Sequence, residues 1–315
     1  MDKLRVDLFV LNYNGETCIR ECVHSLMEAL KQSVHRCSLF VIDNCSRDQS
    51  VTILQREFPQ LYIYQMAKNN VLCSFNEPVA KSNADVVFLL NNDLKVDPFF
   101  IDPMVSWFEE KKEVFLVAAK SFLPDGSYEA GRAIPFISYG MFGTTCHFRG
   151  FEQYIDKPGL TFASGFGAFD RHKFVELGGF DDLYLPGRLE DSDISFRAWK
   201  KGWKSYYQPK STIYHLGAKS FKERFGERGT MELAHRNTFL FMWKNMESNT
   251  YWAQHFLFLI PRIFWMLLKG RYEFATGFLK AIWRLSAVLE RRKQQKEIRY
   301  TYADKEVMSF FKNGN

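Results

Sequence analysis

The sequence predicts an α/β fold on a mostly parallel sheet flanked by helices, followed by a helical C-terminal segment. Three observations predict it. Apolar runs of strand length alternate with stretches whose apolar residues recur every three or four positions. Each run ends in a polar, turn-forming cluster. Beyond about residue 217 the strand signals stop and a basic, aromatic-rich helical pattern takes over. In parallel sheets the crossovers are right-handed and ligands bind beyond the carboxyl ends of the strands, so functional residues are expected just after each strand.

Residues 5–12 (RVDLFVLN) read as a buried strand ended by Tyr13, Asn14 and Gly15. Ile19, Cys22, Val23, Leu26, Met27 and Leu30 then mark one face of a helix. The unit repeats: a strand over 38–42, a polar turn over 43–46, a helix over 49–58 closed by Pro59, and a strand over 61–65. The strongest strand, 84–90 (ADVVFLL), stops abruptly at Asn91, Asn92 and Asp93. A helix from Asp97 through Glu110 and a strand over 114–119 follow, then the turn signal Pro124, Asp125, Gly126. Residues 133–162 show no clean period and read as a long irregular segment over the site. After it come a glycine-rich stretch around Gly165, a Gly178–Gly179 turn, an acidic cluster opening a helix through Trp199, and a strand over 205–208 that Pro209 is expected to end.

At 315 residues, with 46% hydrophobic and 25% charged residues, the chain can bury a sizeable core, which excludes a disordered protein. The predicted organisation is a ligand-binding α/β domain over 1–217 and a helical region over 218–315. Net charge divides at that boundary: residues 1–217 hold 24 Lys and Arg against 27 Asp and Glu, whereas 218–315 hold 18 against 9. A basic, aromatic-rich tail points to an anionic membrane surface rather than nucleic acid. The apolar stretch 251–268 is interrupted by Gln254, His255, Pro261 and Arg262, so it does not read as a transmembrane helix. An amphipathic helix pair is expected, lying on the membrane or packing on the first domain. On the membrane reading Trp252, Trp265 and Trp283 sit at the interface, with Arg262, Lys269, Arg271 and residues 291–293 near the headgroups. Six cysteines without a paired framework, and a strand that starts too early for a signal sequence, lead us to expect a cytosolic protein, peripheral on the inner face of the cell membrane.

Five motifs in one order carry a family resemblance: Asn12 to Gly15, Asp43 to Ser46, Asn91 to Asp93, Gly178 to Asp181 with Glu190 to Asp193, and His215. On these the chain resembles family 2 glycosyltransferases of the GT-A fold, in particular the bacterial rhamnosyltransferase-like branch that builds cell-surface polysaccharides. The resemblance covers residues 5–217. It implies a nucleotide-diphosphate-sugar donor, UDP- or dTDP-linked, a glycan or lipid-linked acceptor, a divalent metal (Mn2+ or Mg2+) and inversion at the anomeric carbon. It further implies that Asn12, Tyr13 and Asn14 line the donor pocket, with Tyr13 near the base. Asp43 and Asn44 follow them, Asp43 on the uracil or thymine ring. Asn92 and Asp93 meet the diphosphate, Asp93 and His215 bind metal, and Asp191 is the general base. Gly165 is read as permitting close backbone approach beside the donor sugar. Asp181 and Glu190 are the acceptor-binding candidates.

Other readings stand beside these. Asp43 at a strand-to-helix turn also suits a helix cap. Glu190, Asp191 and Asp193 suit first-turn acids complementing a helix dipole. The tail also suits an ordinary helical subdomain facing the first domain. Two departures from the family pattern are visible: Asn91 stands where many members have Asp, and residues 68–76 replace a glycine-rich loop around an Asn, a place Asn76 is expected to take. The rivals are a catalytically impaired sugar-binding or assembly protein of the same fold, and a sugar nucleotidyltransferase, whose glycine-rich triphosphate loop is not found at residues 12–15.

Overall fold

The computed structural model describes residues 3–217 and 220–312. Strand β1 (Arg5–Asn12) leads to α1 (Ile19–Gln32), β2 (Arg36–Asp43), α2 (Ser50–Glu57) and β3 (Tyr62–Gln65). A short 3-10 turn (Val71–Phe75) and α3 (Asn76–Lys81) precede β4 (Val86–Asn91), β5 (Leu94–Val96), α4 (Asp102–Glu110) and β6 (Val114–Phe122). Then come β7 (Tyr128–Ala130), β8 (Ile134–Ser138), β9 (Met141–Thr145), β10 (Gly159–Leu160), β11 (Gly167–Asp170) and α5 (Arg171–Glu176). Helix α6 (Glu190–Lys200) and β12 (Lys204–His215) complete the α/β part. Five helices follow: α7 (Ser220–Asn245), broken at Gly226, α8 (Asn249–Leu268), α9 (Glu273–Ile282), α10 (Leu285–Lys296) and α11 (Asp304–Ser309).

The main sheet runs β10-β12-β6-β11-β4-β1-β2-β3, with β5 on β12 and β7 on β6. Its β3-β2-β1-β4 half is parallel, as is β12 with β6, while β11 enters antiparallel between β4 and β6. Alternation along β1 builds two cores: Val6, Leu8 and Val10 pack with α1 and α4, while Phe9 and Leu11 pack on the opposite face with Phe75, Phe169 and Ile194.

Two elements differ from the sequence expectation. Residues 133–162 contain the β8–β9 hairpin, whose strands pair antiparallel around Tyr139 and Gly140, both at positive φ. Pro209 does not end β12: the register with β6 shifts between Gln208 and Thr212, so proline sits in an irregularity where no ladder donor is required. The strand continues to His215.

A third core joins the α/β part to the tail. Phe162, Tyr184, Phe196 and Trp199 pack with Phe239, Leu240, Phe241, Met242, Phe274, Val288 and Phe311. The expected boundary, between residues 217 and 218, adjoins residues 218 and 219, which lie outside the described residues, and the two parts share this apolar interior. Stretch 249–268 is one continuous helix, α8, containing Pro261. Among the described residues no helix is long and apolar enough to cross a membrane.

Polar contacts tie the same seam. Asp193, fully buried, accepts from Lys244 Nζ at 2.7 and 2.8 Å, Arg197 Nε at 2.8 Å, Asn245 Nδ2 at 2.8 Å and the Tyr184 hydroxyl at 2.8 Å. Lys244 also reaches Asp181 Oδ2 at 2.6 Å. Burial alone would raise both carboxyls, but the Lys244 ammonium, joined at Asp193 by the Arg197 guanidinium, holds them below the usual carboxylate range. Arg291 bonds Asp181 and Asp182, and Arg292 donates to the carbonyls of Trp243, Lys244 and Met246. Both arginines therefore brace the tail, which corrects the expectation that they face lipid headgroups.

Lys244→Met leaves Asp181 and Asp193 without their shared cation and should cost about 3–5 kcal/mol at neutral pH, read by urea unfolding. Because the folded carboxyls titrate below their ordinary value of 3.8, the stabilisation is present in full above that pH and is lost below it. The gap between wild type and variant should therefore narrow as pH falls below 3.8.

Candidate functional site

Parallel register brings three strand ends side by side: Asn12 pairs with Asp43, and Leu11 with Asn91. The loops that follow must therefore form one polar rim at the carboxyl edge. Asn12 is its hub. Fully buried, its Nδ2 donates toward Asp43 Oδ1 at 3.1 Å, Ser46 Oγ at 3.1 Å and Ser50 Oγ at 2.9 Å, while its Oδ1 accepts from Asn92 Nδ2 at 2.9 Å. Gly15 makes room for that last bond, since a Cβ there would lie 2.2 Å from Asn92 Nδ2.

Asp43 also accepts from the Ser46 amide at 3.3 Å, so its carboxylate closes the 43–46 turn rather than capping α2, whose N-terminal amide at Ser50 bonds Asp48 instead. Asn14, at φ 50°, accepts from the Arg47 amide. Asn44 is buried and spent on structure: it accepts from the Asn70 amide and Ser74 Oγ and donates to Asn69. It shapes the 69–74 loop.

Asp93 follows β4, and β5 turns the chain back so that Leu94 pairs with His215 at the end of β12. His215 Nε2 lies 3.0 Å from Asp93 Oδ2, and its Nδ1 lies 2.8 Å from Glu129 Oε1. Glu129 in turn accepts from the buried Ser121 hydroxyl at 2.6 Å. Burial opposes charge on the ring, but the two carboxylates outweigh it and raise the imidazole to about 10. Asp93 Oδ1 is buried without a partner. Among the described residues no group of three or more His, Cys, Asp or Glu side chains is arranged to hold a metal ion.

Residues 165 and 166 link this pair to the acidic helix. The Phe166 ring sits 6.3 Å from the His215 ring, and a Cβ on Gly165 would lie 3.7 Å from Asp191 Oδ2. Asp191 occupies the first turn of α6 with Glu190 and Asp193. Burial raises the Asp191 carboxyl, which makes it a stronger proton acceptor than a solvated aspartate. Glu190 is pushed up to about 8 by burial and by the neighbouring Asp191 charge, so near neutral pH it is largely a neutral acid able to donate.

Other expected site residues lie elsewhere. Asn76 clamps the glycine turn, its Nδ2 donating to the Phe180 carbonyl and its Oδ1 accepting from the Phe180 amide, both at 2.9 Å. Its amide is not brought into the Asn12 rim. Asp181 is engaged by Lys244 and Arg291 and faces a cavity of about 380 Å³ lined also by Arg197, Gln294 and Gln295. Glu129 was missed, because it stands on a three-residue strand in a stretch where no period is legible.

The description Glycosyl transferase family 2 matches residues 7–177. An N-acetylglucosaminyl-diphospho-decaprenol L-rhamnosyltransferase of Mycobacterium tuberculosis is 24% identical over 232 residues, covering 65% of this chain and 74% of that protein. A Drosophila melanogaster protein named polypeptide N-acetylgalactosaminyltransferase 10 is 37% identical over 59 residues, 19% of this chain, and the chain spans only 9% of it. The crystal structure of GalNAc-T7 with UDP, GalNAc and Mn2+ superposes with a TM-score of 0.54 at 17% identity, covering 68% of this chain and 43% of that one, a likeness of fold.

Gly15→Ala forces the Asn92 amide off Asn12 and should destabilise the protein by about 1–3 kcal/mol, measured as a fall in the urea midpoint at unchanged slope.

Proposed function

The chain belongs to glycosyl transferase family 2, with a GT-A-type fold, and from that premise we propose that it transfers a hexosyl or deoxyhexosyl unit from a nucleotide diphosphate sugar, with inversion, to a glycan or lipid-linked acceptor of cell-surface polysaccharide. The observation that carries this reading is the convergence of Asp43, Asn92, Asp93 and His215 at one sheet edge, with Asp191 beside Gly165. The mycobacterial relative, whose name specifies a polyprenyl-diphosphate-linked acceptor, supports the lipid-linked class.

In this reading Asp43 retains lone pairs for a pyrimidine ring N–H, uracil or thymine, and Tyr13 and Asn14 flank the nucleoside. Asn12 and Asn44 hold the rim from behind. Asn92 and Asp93 face the diphosphate. Asp93 and His215 are the residues that would hold a divalent ion: the buried Asp93 Oδ1 has no partner and is a ready oxygen donor, and the His215 ring, held by Glu129 through Nδ1, would offer Nε2 once it gave up its proton and its bond to Asp93 Oδ2. Mn2+ or Mg2+ held there would act as a Lewis acid on the charge developing in the diphosphate. Asn91 contributes no carboxylate, so Asp93 carries the negative charge of the turn.

Asp191 takes the proton of the acceptor hydroxyl as that oxygen bonds the anomeric carbon. The bond from that carbon to the diphosphate oxygen breaks, and the electron pair leaves with the diphosphate. Attack opposite the leaving group inverts the centre. Glu190, largely protonated near neutral pH, can donate to an acceptor oxygen. Retention of Asp93, Asp191 and His215 favours an active enzyme over a sugar-binding protein that has lost turnover.

The tail supplies a surface suited to a lipid-linked acceptor. Phe256, Leu257, Ile260, Phe264, Trp265 and Leu268 stand exposed along α8, Leu257 at 68% and Leu268 at 70%, and Trp283 beyond α9 reaches 81%. Lys269, Arg271 and Lys280 are exposed nearby. An apolar face beside cations matches an anionic bilayer surface, so we assign the protein a peripheral, cytoplasmic position there.

A binding screen of UDP-, dTDP- and GDP-sugars with and without Mn2+ or Mg2+ tests the donor, and the reading fails if none binds under any metal condition. Asp191→Asn should cut turnover by about 100-fold or more while leaving donor affinity unchanged, whereas lost donor binding would remove it from the role of base. Leu257→Asp with Leu268→Asp should weaken co-sedimentation with anionic vesicles by about tenfold or more, and undiminished co-sedimentation would separate this face from the membrane.

A further inference from the structure

Between the glycine turn and α6 lies a short loop whose backbone is unusual. Gly187, Arg188 and Leu189 all have positive φ, at 131°, 80° and 72°. For the two residues with side chains this conformation costs about 1–3 kcal/mol each and persists only where the surroundings enforce it. Helix α6 starts immediately after, and its first turn closes with the Asp193 amide donating to the Leu189 carbonyl at 2.9 Å. The direction in which Asp191 leaves the helix is therefore set by this loop.

What enforces the loop comes from α7. Asn237 is fully buried, and its Nδ2 lies 2.7 Å from the Tyr184 carbonyl, 2.7 Å from that of Gly187 and 2.8 Å from that of Arg188. Arg236 adds Nη2 to the Leu185 carbonyl at 2.7 Å and the Tyr184 carbonyl at 3.2 Å. Three carbonyls converging on one amide nitrogen require a donor, and Asn237 Oδ1 is already turned away to accept from Arg236 Nε at 2.9 Å. A flipped amide would set oxygen against three oxygens. Helix α7 is itself braced by α9, where a Cβ on Gly277 would lie 2.9 Å from the Glu232 carbonyl and 3.0 Å from the Arg236 amide.

We infer that Asn237 is the positioning residue that holds the strained 184–189 loop and so aims Asp191, which gives one side chain of α7 a part in placing the base. The inference rests on the reading of Asp191 as the base. Asn237 acts through Asp191 and touches no substrate.

The test uses the full chain with Asn237→Asp, which keeps the shape but replaces the donor with oxygen, and Asn237→Ala, which removes the amide without adding charge. Leu240→Ala, a fully buried core change on the same helix, serves as the control for stability alone. Hydrogen exchange of the amides of residues 184, 185 and 187–191, Pro186 having none, should quicken in both Asn237 variants and stay near wild type in the Leu240 variant. Turnover in the Asn237 variants should fall by about 100-fold with donor KM within about twofold, as expected when geometry at the base is lost while donor binding is kept. Leu240→Ala should lower Tm while keeping turnover, assayed well below its Tm, within about threefold. Unchanged exchange over 184–191, or turnover that simply follows Tm across all three variants, would overturn the proposal. If the wild type transfers no sugar, the functional reading fails separately, and the exchange pattern alone then decides whether Asn237 holds the loop.

Discussion

One buried amide organises the sheet edge. Asn12, at the end of β1, has no exposure to solvent and bonds four side chains on the two connections after β2 and β4, so the turns after these three strands cannot be arranged independently. An amide suits this place because it donates and accepts at once, which neither a carboxylate nor an ammonium does. Parallel pairing places the three strand ends within reach, and Gly15 removes the side chain that would block the last bond. The polar residues left at this edge are those to which the proposed function assigns the nucleotide diphosphate.

A second set of buried bonds does the same for the acidic half. Asp193 gathers Lys244, Arg197, Asn245 and Tyr184, and Asn237 gathers three carbonyls of the loop before α6. In both cases α7 supplies side chains from more than forty residues further along the chain, Lys244 and Asn245 to Asp193 and Asn237 to the loop. Acids that share one helical turn thus have different duties. Asp193 faces inward and is neutralised, whereas Asp191 faces the Gly165 segment and keeps an elevated affinity for protons.

Much of this was legible in the sequence. Strands β1, β2 and β4 announce themselves as apolar runs cut off by Asn, Asp and Gly, because a strand buried on both faces has no polar alternation and must stop where the chain meets water. Asp93 and His215, expected from the sequence to act together, do meet, because β5 follows Asp93 directly and its Leu94 pairs with His215. What was hidden depends on partners distant in sequence. Nothing near Asn76 reveals that its amide will be used up by Phe180. Glu129 lacks a periodic context, and the β8–β9 hairpin turns at Tyr139 and Gly140 without an Asn-Gly or Asp-Gly signal. Arg291 and Arg292 look like surface charges until Asp181 and the end of α7 are brought against them. Composition separated the tail at residue 217, but composition carries no information about which apolar faces meet.

The shared core also bears on how the protein is made. On a ribosome the strands and α6 emerge long before α7 to α11, and until those helices arrive Asp193 has no ammonium, the 184–189 loop has no amide to hold it, and Phe162, Phe196 and Trp199 stay open to water. The nucleotide rim, whose contacts all fall between Asn12 and Asn92, can form early. The half that bears the proposed base cannot. On the proposed reading, a chain not yet extended through α7 would be able to hold a donor nucleotide before it can use it, so competence for chemistry waits for that helix.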